Sequence, residues 1–315
     1  MTARLDFAAQ RLRLGFQLPH RPEWVTEPRQ YFFGVNGEGT APAPPGLPGQ
    51  LFRMAAYRDL SEMWLRAGDL YPQATVDKFA EADANLATLF GGRDFGEEIL
   101  GSFGPQLQIV VARQTFDDGQ PTPQIRLPSF GIQFTMTDPE TMGPELRRIF
   151  QNLIGFINIT GAMNGQPQFE VDVAKDDQCD LVMARYLPPR GEAASQPVKI
   201  HYNFSPAVAF EGDRFVLAST AALARDLALA KPVKDAAAAV NTTARLDAAM
   251  LQQVLRDNES QLVSQNMLEK GHDRREAERE IRLMLELLGY IRDANLQLQT
   301  GPESVELSVE LGLEQ

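Results

Sequence analysis

One local pattern constrains the fold of this chain more than any other: an alternating strand, an aspartate and an amphipathic helix follow one another three times. The copies, each with its aspartate, are 51–64 with Asp59, 132–150 with Asp138 and 241–255 with Asp247. In the second copy Ile132, Phe134 and Met136 alternate with polar residues, which is typical of a half-buried strand. A strand that repeatedly leads into a helix predicts a mixed α and β protein.

We interpret the three aspartates as structural helix N-caps. A carboxylate there accepts hydrogen bonds from the first free backbone N–H groups, and its charge suits the positive end of the helix dipole. Glu62 follows Asp59 by three positions, as in a capping box, and Pro139 follows Asp138 where helices tolerate proline. The alternative, a catalytic aspartate in each copy, is weaker because capping explains all three positions, Asp247 included.

Hairpins and helices fill the rest of the chain. Alternation predicts hairpins at 2–18, 106–114 with 124–127, 168–174 with 180–187, 207–210 with 214–218 and 295–299 with 304–313, and a further strand at 198–204. Helical spacing predicts helices at 72–90, 139–156, 220–230, 248–269 and 274–293. The predicted fold class is α+β: antiparallel sheets with amphipathic helices on one face, built from divergent repeated strand–helix–hairpin units.

The repeats divide the chain into regions of unequal length. We expect an N-terminal region at 1–130, a middle region with an extra hairpin and helix at 131–240, and a C-terminal region at 241–315. The hairpin at 1–18 has no strand and helix before it, which predicts the remnant of a truncated unit. Together the regions form one compact domain or two closely packed domains.

Composition disfavours several functions. The formal net charge of −12 argues against nucleic acid and anionic membrane surfaces as partners, because both attract basic proteins. No apolar run is long enough for a transmembrane segment. No signal peptide opens the chain, which predicts a cytoplasmic protein, or a periplasmic or cell-envelope protein if a leader was removed. The lone Cys179 permits no intramolecular disulfide.

Two short motifs look catalytic but lack their partners. Residues 34–40 (GVNGEGT) are glycine-rich, but no Lys-Ser/Thr pair ends them and prolines stand where a phosphate-binding helix belongs. We expect a flexible loop there. Residues 94–96 read Asp-Phe-Gly, but the catalytic loop and the strand lysine of a kinase are missing. Neither motif predicts a cofactor, and we expect none.

One acidic turn resembles a metal site. Its weak candidate ligands are Asp172, Asp176, Asp177 and Asp180. The stretch lacks the glycine and the terminal glutamate of a calcium-binding loop, so a solvated hairpin turn is the favoured interpretation. His201 is interpreted as a surface or interlayer histidine, and no motif activates any serine.

Two features are candidate interaction surfaces. Tyr31, Phe32 and Phe33 lie beside the glycine-rich loop, and we expect an exposed apolar patch that contacts a protein partner. Leucine and methionine recur at helical spacing over 246–291. We interpret this stripe as core packing rather than as a partner groove, because the helices must cover a sheet.

Three stretches resemble sequences of uncharacterised bacterial secreted or envelope proteins, known as domains of unknown function. They are YRDLSEMW at 57–64, LFGGRDFG at 89–96 and GDRFVLAS at 212–219. The resemblance covers most of the chain from about residue 50 onward. It implies a periplasmic or envelope setting and carries over no catalytic residue. The missing leader departs from that family's pattern.

Three functions remain open on the sequence. Repeated structural units, an acidic surface and a missing catalytic constellation favour a non-enzymatic binding or scaffold module of the bacterial cell envelope. The alternative is a carrier of an apolar ligand, which a large pocket lined by Leu, Met and Phe would favour. The third is a hydrolase with dispersed carboxylates, which needs two carboxylates with opposed pKa shifts in one cleft.

Overall fold

The computed structural model describes residues 2–116, 122–175, 178–187, 198–233 and 240–314. The strands are β1 (Thr2–Ala8), β2 (Arg11–Pro19), β3 (Pro45–Gly46), β4 (Gln50–Tyr57), β5 (Phe103–Ala112), β6 (Ser129–Met136), β7 (Phe169–Lys175), β8 (Asp180–Tyr186), β9 (Ala207–Glu211), β10 (Arg214–Ala218), β11 (Lys231–Pro232), β12 (Thr242–Asp247), β13 (Ile291–Thr300) and β14 (Ser304–Leu313). The helices are α1 (Gln30–Phe33), α2 (Leu60–Leu65), α3 (Ala67–Leu70), α4 (Gln73–Leu89), α5 (Pro139–Met163), α6 (Ala221–Leu229), α7 (Ala248–Asp257), α8 (Glu259–Lys270) and α9 (Arg274–Leu288).

Twelve of the described strands form one antiparallel sheet. Their order is β1-β2-β14-β13-β12-β4-β5-β6-β10-β9-β8-β7, and β3 pairs separately with β11. Strands β12 and β4 are neighbours near the middle of the sheet. In sequence, β4 is followed by helices and then by β5 and β6, which extend the sheet on the β4 side. Likewise β12 is followed by helices and then by β13 and β14, which extend it on the β12 side. The α+β class with a large antiparallel sheet is therefore confirmed.

Strands β6 and β8–β10 are covered on both faces, and we call them the covered half. On one face, Val182, Val208 and Phe215 pack against α5, and we call this the α5 face. On the opposite face, the α6 face, Ala209 and Val216 pack against α6. The prediction that the helices lie on one face is wrong. Successive residues of β9 are both apolar and point to opposite sides, so each side needs cover.

The α5 face continues across the whole sheet. Directly opposed residues form one apolar row: Ile132, Ile109, Met54, Ala244, Leu296, Val309, Leu14 and Leu5. The described helices leave the far end of this face uncovered, since Leu5 and Phe7 are 67% and 68% exposed. We call β1, β2, β13 and β14 the open half of the sheet.

Helices α7, α8 and α9 pack mainly on one another. The apolar cluster between them has the buried residues Val263, Ala277, Ile281 and Leu285. The single helix predicted over 248–269 is divided at Asn258. The Asn258 side chain donates to the carbonyl oxygens of Arg126 and Val254 and accepts from the backbone N–H of Arg126. Helix α7 therefore ends at Asp257, where the Asn258 side chain binds the backbone of the distant residue Arg126.

Each of the three repeated aspartates occupies a helix N-cap. Asp59, Asp138 and Asp247 accept hydrogen bonds from the backbone N–H groups of Glu62, Thr141 and Met250 at 3.0, 3.2 and 2.9 Å. The reciprocal half of the capping box is absent, because the Glu62 carboxylate binds Arg66 at 2.7 Å. The backbone N–H of Asp59 donates instead to the carbonyl of Tyr31.

Two predicted strands are wrong. Residues 124–127 lie outside the strands, and β5 pairs with β6 instead. Residues 198–204 contain the 3-10 helix Ile200–Asn203. The buried Asn203 side chain donates to the carbonyls of Ile125 and Ile200 and accepts from the backbone N–H of Leu127. One amide therefore satisfies the backbone of both segments without a sheet partner.

The glycine-rich segment 34–40 packs against neighbouring backbone, and its flexibility stays a prediction. Gly37 has a φ of +80°, and a Cβ there would lie 2.9 Å from the carbonyl oxygen of Gly301. The Asn241 side chain donates to the carbonyls of Phe32 and Gly39 at 2.8 and 3.4 Å. Glycine is needed here for close contact with the β13–β14 turn.

Candidate functional site

The predicted metal ligands that the structure describes are engaged by arginines. The Asp180 carboxylate lies 2.8 Å from the guanidinium of Arg147, and that of Asp172 lies 3.7 Å from Arg185. The other two candidates, Asp176 and Asp177, lie outside the described residues. Across the described part of the chain, no group of three or more His, Cys, Asp or Glu side chains is arranged to hold a metal ion.

The aromatic cluster at 31–33 mostly packs inward. Tyr31 is buried, so the prediction of an exposed patch is wrong for this residue. Phe33 contacts Trp24 with a centroid distance of 5.3 Å, and Phe32 lies 3.7 Å beneath the guanidinium of Arg58. These rings pack the segment that precedes β3 against the sheet. A protein partner at Tyr31, Phe32 and Phe33 stays a prediction.

Arg58 joins the two central strands. Its guanidinium donates to the side-chain oxygens of Asn241 and Thr242 at 2.7 and 2.8 Å. Burial lowers the pKa of Arg58 to about 10, which still leaves the group charged at neutral pH. All its protein acceptors here are neutral oxygens, so this centre fixes β12 against β4. The sequence pattern did not reveal it, because Arg58 is 183 positions away from Asn241 in the chain.

A cavity of about 720 Å³ lies on the α6 face, beside the first turn of α6. Thr220 caps that helix, with its hydroxyl accepting from the backbone N–H of Leu223 at 3.3 Å. Because α6 is short, it leaves the ends of β5 and β8 partly uncovered. The apolar lining consists of Leu47, Pro48, Ala112, Phe116, Met183, Leu187, Phe204, Ala221, Ala222, Leu223 and Met250.

The polar groups inside this cavity are used for structure. Ser129 donates to the carbonyl of Ala112 at 3.2 Å, and Ser205 accepts from the backbone N–H of Ala221 at 3.1 Å. Asp226 is the one carboxylate among the described lining residues. The lining therefore offers apolar contact and hydrogen bonding rather than the paired acid and base of a hydrolase.

Two arginines stand at the border of the cavity. Arg113 makes two hydrogen bonds to Asp257 at 2.6 and 3.0 Å, which fixes it against α7. Arg185 is half exposed, and its nearest carboxylate atoms lie 3.7 Å away on Asp172 and 4.0 Å away on Glu170. Of the two, Arg185 is the cation that can turn toward a ligand.

An aromatic wall closes the β7–β8 side. Tyr186 stacks on Phe169 with a centroid distance of 4.0 Å, and His201 meets Tyr186 edge-on at 4.5 Å. Burial and the charge of Lys199 lower the pKa of His201, which favours the neutral imidazole. Tyr202, the neighbour of His201, lines the cavity itself. His201 is thus an interlayer histidine that supports this wall.

A smaller cavity of about 200 Å³ adjoins the first, since Leu47 and Met250 line both. Arg53 of β4 and Arg245 of β12 lie directly opposite each other beside it. Arg245 is 3.2 Å from Asp293, whereas no ion pair to Arg53 occurs among the described residues. Burial and the charge of Arg245 lower the pKa of Arg53. Two like charges in direct opposition destabilise a sheet, so an anion placed between them would be favourable.

Comparison with protein-family models, curated proteins and solved structures gives no match. The argument about function therefore rests on this cavity pair. No helix among the described residues has the length and apolar character needed to cross a bilayer. The sequence patterns pointed to neither cavity, because their walls come from β4, β5, β8, α6 and α7, which are far apart along the chain.

Proposed function

We propose that the protein binds a small amphipathic anion. The apolar body of the ligand would occupy the larger cavity, and its acidic group would lie toward Arg53 and Arg245 in the smaller one. The larger cavity carries this proposal, because its volume and its lining of leucine, methionine and phenylalanine are those of small-molecule sites. Arg53, to which no ion pair occurs among the described residues, selects the acidic group.

The cavity part of the proposal is tested with dansyl-labelled undecanoic acid. Ala222 is exposed and lines the larger cavity, so Ala222→Trp fills the space without disturbing the core. We expect the variant to weaken binding by about tenfold or more, as measured by fluorescence titration. Ala80→Trp, at an exposed position of α4, is the matched control and should bind normally. If Ala222→Trp binds the probe as well as Ala80→Trp does, the probe does not bind in the larger cavity.

The acidic part is tested by comparing the acid with its uncharged methyl ester. Arg53→Gln removes a cation that has no ion pair among the described residues, so the fold loses little. It should weaken the acid by about tenfold, the value of a charged hydrogen bond, and leave the ester unchanged. Arg279→Gln, exposed on α9, is the control. If Arg53→Gln changes neither ligand, the acidic part is refuted while the cavity remains.

A second candidate function is an interaction module, which the uncovered apolar face of the open half favours. A bacterial envelope setting, implied by the resemblance, belongs to this proposal. We also propose that the strand–helix–hairpin units descend from one ancestral unit. Its support is the matching path of the chain on both sides of β4 and β12, with helices followed by two neighbouring strands.

A further inference from the structure

Strand β1 is an edge strand that carries few of the features that usually protect an edge. Among the described strands, β2 is its one neighbour. The strand runs for seven residues without proline or a register shift. Leu5 and Phe7 point from it into solvent on the α5 face. Such an edge presents a row of free backbone donors and acceptors to another strand.

The hairpin geometry identifies which of these groups are free. The turn residues Ala9 and Gln10 both have positive φ, at 48° and 60°, as in a two-residue type I′ turn. Ala8 and Arg11, which flank this turn, therefore form a hydrogen-bonded pair. Because such pairs alternate along an antiparallel ladder, every second residue of β1 turns its N–H and C=O outward. The outward residues are Ala3, Leu5 and Phe7.

We propose that β1 pairs antiparallel with β1 of a second copy of this chain, about a twofold axis at Leu5. Leu5 then opposes Leu5 of the second copy, and Ala3 opposes Phe7. These are the outward residues, so each exchanges its backbone hydrogen bonds across the axis. In the same register Arg4 opposes Asp6 of the second copy, and Asp6 opposes Arg4. Hydrogen bonding, charge and apolar contact thus agree on one register.

The twofold axis stands perpendicular to the sheet, so the α5 faces of both copies lie on the same side. The exposed side chain of Leu5 then meets Leu5 of the second copy, Phe7 lies beside Ala3 of the second copy, and the apolar surfaces of the two open halves become continuous. Leu5 and Phe7 gain cover from this contact, which no described element of their own chain provides. A second copy is therefore the partner that this surface fits.

The opposite edge of the sheet lacks this self-complementarity. Strand β7 carries Glu170 and Asp172, which lie beside Arg185 of its neighbour β8. A self-pairing centred on Val171 would oppose Glu170 to Asp172, and one centred on Asp172 would oppose two aspartates. Like charges in direct opposition are unfavourable in a sheet. The two edges are thus distinct, and β1 is the one suited to self-association.

Charge reversal tests the register in the full chain. Arg4→Asp and Asp6→Arg each place like charges opposite each other twice in the dimer, so each should weaken dimerisation by about tenfold in analytical ultracentrifugation. A mixture of the two variants restores both opposite pairs and should form heterodimers. The double variant should again form homodimers. Monomers of the unaltered chain at all concentrations overturn the proposal, as does a dimer that both single reversals leave intact.

Cross-linking tests the axis. Leu5→Cys places two thiols in a directly opposed pair, whose Cα atoms are about 5.5 Å apart and within disulfide reach. Phe7→Cys is the matched control, because Phe7 is equally exposed but its two copies would be about 14 Å apart. Mild oxidation should give a covalent dimer at least about tenfold faster with Leu5→Cys. Equal rates, or faster cross-linking of Phe7→Cys, would exclude this register.

Discussion

The covered and open halves of the sheet both have an apolar α5 face, but this face is in opposite environments. Val182 and Val216 are fully buried in the covered half, whereas Leu5 and Leu14 in the open half are 67% and 37% exposed. Strands of the open half such as β14 alternate apolar and polar residues, whereas β9 in the covered half is apolar on both faces. Alternation therefore decides which face of a strand is apolar, and the helices packed on that face decide whether it is buried.

The two halves also differ in what stabilises them. Burial of one large apolar side chain contributes about 1.5–3 kcal/mol, which favours the covered half. On the α6 face of the open half, neighbouring strands are joined by polar pairs such as Arg13 with Ser308 and Gln17 with Glu306. Each cross-strand pair contributes only about 0.2–1 kcal/mol. The open half should therefore be the less stable part of the sheet.

The largest expected effect compares the same truncation in both halves. Leu227 on α6 is fully buried, so Leu227→Ala should lower the free energy of unfolding by about 3–5 kcal/mol through the cavity it leaves. Leu14→Ala, on the exposed face, should cost less than about 1 kcal/mol. Urea denaturation measures both. Equal costs would show that the face of the open half is covered in solution.

Added volume gives a smaller contrast. A Cβ on Gly131 in β6 would lie 2.8 Å from a methyl carbon of Leu227 and 3.1 Å from Cβ of Ala218, and both side chains are buried. Gly131→Ala should therefore cost about 1–3 kcal/mol. A Cβ on Gly15 in β2 would lie 4.0 Å from the carbonyl oxygen of Arg4, so Gly15→Ala should change stability by no more than about 0.5 kcal/mol. Thermal denaturation measures both variants. A lower thermal midpoint for Gly15→Ala but not for Gly131→Ala would show that the open half is the more tightly packed.

The smallest expected effect concerns the one buried charge cluster of the open half that the structure describes. Burial raises the pKa of Asp293, but the hydrogen bond from Arg292, the charge of Arg245 and the hydrogen bond from Asn295 outweigh it and hold the pKa below its usual value. The ionised carboxylate therefore stabilises the fold above about pH 4, and this contribution is lost as the pH falls through the depressed pKa. Asp293→Asn should cost about 1–2 kcal/mol at pH 7.

The difference between the parent chain and this variant should shrink as denaturation is measured at successively lower pH. Glu303→Gln, an exposed change in the β13–β14 turn, is the control and should cost no more than about 0.5 kcal/mol at any pH. A difference that stays constant down to pH 2 would mean that the Asp293 charge contributes nothing to the open half.

Local features of the fold were predictable from sequence. The hairpin at 2–18, the hairpin of β9 with β10 and the terminal hairpin of β13 with β14 are confirmed. Each of these depends on alternation and a nearby turn. The aspartate caps are equally local, because a cap binds a backbone N–H only three residues away.

Long-range features were not predictable. The 3-10 helix at 200–203 alternates like a strand, but Asn203 supplies the hydrogen bonds that a strand would have found in a neighbour. The position of α6 opposite α5 depends on β9, whose short run of apolar residues does not show which helix covers which side. The cavity pair was missed for the same reason. Arg53 and Arg245 become neighbours only when β4 pairs with β12.

The pairing of β2 with β14 has a consequence for how the molecule is made. Gln17 and Glu306, which hydrogen-bond across these strands, are 289 positions apart in the chain. At about 5–20 residues per second, a ribosome needs roughly 15–60 s to complete the second strand after the first. During that interval the new hairpin has both edges unpaired and its leucines in water. We expect nascent-chain chaperones to act on this segment until the synthesis of β14 allows it to dock.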